Sequence, residues 1–185
     1  MNAPLFAILT FVPLIFTQKP GNTYALMGVT TLFGAILPLS STYYLVRKGI
    51  IPDIYASDRT SRTEPFLWAM ASYLMGVTVL LWLKAPFVVT ALMACYFVNA
   101  LIMLCITLNW KISIHAVGVT GPITALVFQL GAKMVPFFLL MLPVAWARIE
   151  LKAHNIKQVL AGAVLSTILT WIQMVFSVNF LLPMI

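Results

Sequence analysis

The chain has 185 residues, 62% of them hydrophobic and only 8% charged, with a mean hydropathy of +1.03. Soluble domains carry about 25% charged residues, so the solvent for most of this chain is lipid. Its net charge of +7 comes without a basic run or basic helix face, which excludes a nucleic-acid footprint and leaves a membrane surface or anionic lipid as the partner.

A transmembrane helix needs about 20 apolar residues, and the charged breaks cut the sequence into spans at roughly 4–17, 24–46, 66–83, 86–109, 113–131, 134–149 and 156–181. Met1 to Thr17 is apolar from its first residues and lacks the early Lys or Arg of a secretory signal, so it is expected to stay in the mature chain. It is short and contains Pro13, which leaves a full span, a tilted half-span and an interfacial helix all open. The other six segments form the core. Lys84-Ala85-Pro86 and Gly131-Ala132-Lys133 read as tight turns, and Arg47 to Pro65 as the long polar stretch. The expected fold is all-α: a polytopic transmembrane helical bundle of six core helices plus a short N-terminal hydrophobic segment. It is expected to be one integral membrane domain over 1–185, core 24–181, multi-pass in the cell membrane.

Cys95 and Cys105 share one apolar run, lack the paired spacing of a metal site and read as helix-packing residues. The small residues Ala161, Gly162, Ala163 and Ser166 suit close helix contact, either within the bundle or between chains of a homo-oligomer.

Parity brings distant segments together. The helix ending at Arg47 delivers the loop 47–65 to one face; two helices later the chain returns there at 110–116, and two later again at 147–158. All four acidic residues, Asp53, Asp58, Glu64 and Glu150, fall on that face, as do most cations. So do both histidines of the chain, His115 and His154, each where a loop meets a helix. Two groups that move protons near neutral pH therefore lie among Lys48, Arg59, Arg62, Lys111 and Arg148, a set suited to clamping a phosphoryl group. Two histidines, no nearby cysteine and sparse acids make a poor first shell for a metal, so none is expected. The plain alternative for each cation is a snorkelling helix anchor, and for each histidine an inert interfacial hydrogen bond.

Ala147-Arg148, five residues, His154, three residues and Gln158 resembles the third signature of the type-2 phosphatidic acid phosphatase superfamily: Ser-Arg, five residues, His, three residues, Asp. Ser113-Ile114-His115 resembles the second, Pro-Ser-Gly-His, with Ile112 and Ile114 at the Pro and Gly positions. The first, Lys, six residues and Arg-Pro, is met only by Lys48, Arg59, Arg62 and Pro65 in the corresponding loop. The resemblance covers residues 24 to 181 and is that of a divergent branch.

It implies a membrane-embedded hydrolase acting on lipid phosphates or isoprenoid (di)phosphates through a phosphohistidine, with no cofactor. His154 would be the nucleophile and His115 the proton donor and later base, while Lys48, Arg59, Arg62, Ser113 and Arg148 would bind phosphate. Gln158 stands where the family has Asp. Its carbonyl can accept the ring N–H and keep the orientation but brings no negative charge, so a slower or differently tuned enzyme is expected. A catalytically weak or inactive lipid-binding or phosphate-binding protein and a lipid phosphotransferase would use the same residues. A small transporter is disfavoured, because the ionisable groups cluster at one face and no inverted repeat is visible.

Overall fold

A computed structural model of the chain describes residues 2–18, 21–54 and 58–181, and within them the side chains other than those of 2–7, 9, 18, 180 and 181. Regular structure among these residues is entirely helical: α1 Asn2–Gln18, α2 Thr23–Arg47, α3 Thr60–Trp82, α4 Phe87–Asn109, α5 Ile114–Leu130, α6 Ala132–Glu150 and α7 Ile156–Asn179. The protein is an all-α helical bundle. Five helices, α2, α3, α4, α6 and α7, are long and apolar enough to cross a membrane, so the chain is a multi-pass membrane protein.

The two shorter helices occupy the middle. At about 1.5 Å per residue, 17 residues give roughly 26 Å, just under the ~30 Å hydrocarbon core. α5 buries Ala116 and the whole run Val119 to Leu126, the most enclosed stretch of the bundle. α1 packs chiefly on α5 and α2 and buries Phe11, Leu14 and Ile15. It is an inner helix, which sets aside the interfacial reading of that segment.

Small residues fix the closest contacts. A Cβ on Gly162 would lie 2.6 Å from the Ser113 carbonyl oxygen, so α7 packs on the start of α5 only because that side chain is missing. Ser166 is fully buried and shares a hydrogen bond with Thr120, 2.5 Å between the hydroxyls. The Ala161–Ser166 face is thus spent inside one chain.

α2 is interrupted by a π turn over Leu32–Ile36. Pro38 has no N–H to offer the Gly34 carbonyl four residues back, which is the sequence cause of such a break. The carbonyl of Phe33, within the turn, accepts the Ser72 hydroxyl of α3 at 2.7 Å.

The loop ends meet at one face, as parity requires. Arg59 Nη1 donates to the Leu108 carbonyl (2.8 Å), Arg62 Nη1 to that of Ile112 (2.9 Å), and the Ser113 N–H to that of Gln158 (3.2 Å). Three segments at 58–62, 108–113 and 158 are thereby tied together. Of the loop 47–65, residues 55–57 lie outside the described residues.

Candidate active site at the convergent face

The spacing between Arg148 and His154 is a helix ending and restarting. α6 stops as Lys152 takes a left-handed conformation (φ +50), and the N–H groups of Ala153 and His154 both fold back onto the Arg148 carbonyl at 3.1 Å. Asn155 then caps α7: its side chain accepts the Gln158 N–H at 3.0 Å, and Gln158 Oε1 accepts the Asn155 N–H at 3.1 Å, a reciprocal capping box. Five residues between Arg and His are what this reversal takes.

The same Gln158 oxygen lies 3.2 Å from His154 Nδ1. A backbone N–H can only donate, so the atom that Asn155 N–H addresses must be the amide oxygen. An oxygen that faces Nδ1 requires Nδ1 to carry the proton. His154 is thereby held in the tautomer whose Nε2 presents a free lone pair. Burial, and after it the Arg62 charge, push its pKa down to about 4; the Gln158 bond raises it, and Lys111 and Arg148 lower it further. The ring is neutral at pH 7.

Arg62, Arg148, His154 and Ser113 are all buried, an unusual state for two guanidinium groups in one neighbourhood. Lys111 belongs with them. Its pKa is lowered first by burial and then by Arg62 and Arg148, while Asp58 and Asp53 act in the opposite direction. Asp58 is itself held below its ordinary value, first by the Thr60 hydroxyl, which donates to it at 2.7 Å. Ser113 serves as the N-cap of α5 and accepts the Ala116 N–H at 3.4 Å, which sets His115 on the first turn.

Arg62 and His115 also line a cavity of about 250 Å³ between α2, α3, α4 and α5. Its walls are mainly apolar, with Phe66, Met103 and Val117 among them. His154, Lys111 and Lys152 line a second, shallower depression with Gln158.

Of the residues expected from the sequence, His115, His154, Gln158, Arg62, Ser113 and Arg148 come together. Lys48 does not: it is exposed, with its ammonium 5.7 Å over the Tyr44 ring. Arg59 is spent on the Leu108 carbonyl at the loop's edge. The sequence placed Lys111 among the cations of this face but the resemblance gave it no phosphate-binding role, and Asn155 had none at all, although Asn155-x-x-Gln158 is a readable cap signature. Comparison with family models, with curated proteins and with solved structures returns no match.

Proposed function

We propose that the protein is a membrane hydrolase that removes phosphate from a lipid phosphate or isoprenoid (di)phosphate by way of a phosphohistidine on His154. The observation that carries this reading is the fixed tautomer: Gln158 holds the Nδ1 proton, and a neutral ring with Nε2 free is the form that attacks phosphorus. Buried Arg62 and Arg148, with Lys111, supply cations for the phosphoryl oxygens. The apolar cavity behind Arg62 and His115 suits a substrate whose headgroup meets the cations while its tail stays out of water.

In the first step Nε2 forms a bond to phosphorus as the bond to the lipid oxygen breaks; His115, which burial and then the Arg148 charge keep neutral at rest, takes up a proton as the anionic substrate binds and gives it to that leaving oxygen. In the second, His115 takes a proton from water as the water oxygen bonds to phosphorus, and the phosphorus–nitrogen bond breaks to free inorganic phosphate. The resemblance of Arg148-x5-His154 and Ser113-x-His115 to the type-2 phosphatidic acid phosphatase signatures supports the same assignment.

Gln158 gives a second reading its footing, since a neutral partner stabilises a positive ring less than a carboxylate does. That reading is a protein that binds lipid phosphate without turning it over. Phosphate release from a panel of lipid phosphates and isoprenoid diphosphates, with His154→Ala alongside, separates the two. Release abolished by the substitution supports the hydrolase; retained binding without release by the unaltered protein supports the binder.

A further inference from the structure

The cavity is written into the sequence twice. α2 carries Gly34 and Pro38, α5 carries Gly118 and Pro122, and all four residues line it. In each pair a proline withholds its N–H from the glycine carbonyl four residues back, and the glycine presents no side chain. Each helix thus loses a backbone hydrogen bond and a side chain's bulk where the two flank the same space; α2 answers with the π turn, while α5 stays α-helical throughout.

From Arg62, at the convergent face, to Tyr73 is 11 residues of α3, or roughly 16 Å at 1.5 Å per residue. At that depth aromatic rings line the space. Tyr73 and Tyr96 line it and meet edge to face, with centroids 5.6 Å apart. Phe11 of α1 packs on Tyr96 at 5.5 Å and lies 3.4 Å from where a Cβ of Gly34 would be. Phe11, fully buried, stands behind the lining residues Tyr96 and Gly34 and so backs this end of the cavity from α1.

We propose that the cavity takes the single alkyl or prenyl chain of a lipid phosphate and that Phe11, Tyr96 and Tyr73 set the chain length it accepts. This rests on the hydrolase reading above for the headgroup. A volume of about 250 Å³ is on the order of eight groups of water size, at ~30 Å³ each. One chain of about eight to ten carbons, whose methylenes are slightly smaller than water's share, fills it, and a second has no room. Overfilling a packed site costs about tenfold or more, so longer chains are disfavoured.

The test uses full-length protein in lipid nanodiscs and a series of alkyl monophosphates of rising chain length, with a two-chain lipid phosphate for comparison. kcat/KM is read for turnover. Thermal stabilisation of the His154→Ala protein is read for binding, independently of chemistry. The expected profile peaks near ten carbons and falls about tenfold for clearly longer chains. Phe11→Ala moves the peak to longer chains, and Ala69→Phe, which fills the half-buried wall, moves it to shorter ones. If Phe11→Ala does not fold, Ala69→Phe alone decides. A flat profile, a peak that Ala69→Phe leaves in place, or equal preference for the two-chain compound overturns the proposal. A length optimum in binding with no turnover keeps it and sinks the hydrolase reading instead.

Discussion

At the scale of single residues one amide oxygen has two tasks. Gln158 Oε1 serves the Asn155 N–H and faces His154 Nδ1, so one atom both starts a helix and selects a tautomer. Gln158→Leu removes both functions. We expect stability to fall by about 1 kcal/mol, the usual cost of a lost cap. Turnover should fall by ~10² to 10⁴, the upper figure being what a wrong tautomer costs a serine protease. Gln158→Asp restores the acceptor and adds a negative charge beside the ring, which favours the imidazolium. Nitrogen-15 spectra of histidine-labelled protein check this directly: the unaltered His154 should stay neutral, with its proton on Nδ1, down to nearly pH 4, and Gln158→Asp should raise its titration point. Because the folded value lies below the ordinary 6.5, His154 contributes stability that is whole above pH 6.5 and is lost as pH falls through about 4. An unaltered ring that titrates near 6.5 would remove the basis for its neutral resting state.

At the scale of helices, the site depends on how closely α7 approaches the start of α5. The Ser113 N–H bonds the Gln158 carbonyl, and Gly162, one turn along α7, leaves room for the Ser113 carbonyl. Gly162→Ala would force those backbones apart and move the His115 turn away from His154. A loss of about 1–3 kcal/mol in stability is expected, as for other overpacked contacts, together with a larger loss in kcat than in KM. Gly28→Ala is the matched control: a Cβ there meets nothing within 4 Å, so stability and turnover should hold. Thermal melts and steady-state rates of both variants decide, and a Gly162→Ala protein that is as stable and active as the unaltered chain would contradict the packing described.

Over the whole molecule, the order of the helices was legible because each charged break punctuates a long apolar run, and the rest of the topology followed from counting crossings. The seven helices fall within a few residues of the seven apolar segments. Less legible was what depends on side-chain geometry. Lys48 and Arg59 share the charge of Arg62, and nothing in their type or spacing tells that one lies over a tyrosine, one is tied to a carbonyl, and only Arg62 is buried beside the histidines. The central place of α1 was equally hidden, since a short apolar segment with a proline reads alike whether it lies in or on a bundle. The crossings carry a prediction of their own. In a background free of Cys95 and Cys105, Lys84→Cys and Lys157→Cys should be labelled by an impermeant thiol reagent from opposite sides of the membrane. Labelling of both from one side would break the topology on which the site rests.

The most direct measurement is of the intermediate itself. Protein quenched in alkali during turnover of a lipid phosphate and digested for mass spectrometry should carry an alkali-stable, acid-labile phosphate on His154, absent from His154→Ala and retained longer in His115→Gln, which lacks the base for hydrolysis. Phosphate release that continues in His154→Ala, or a phosphorylated residue other than His154, would contradict the account.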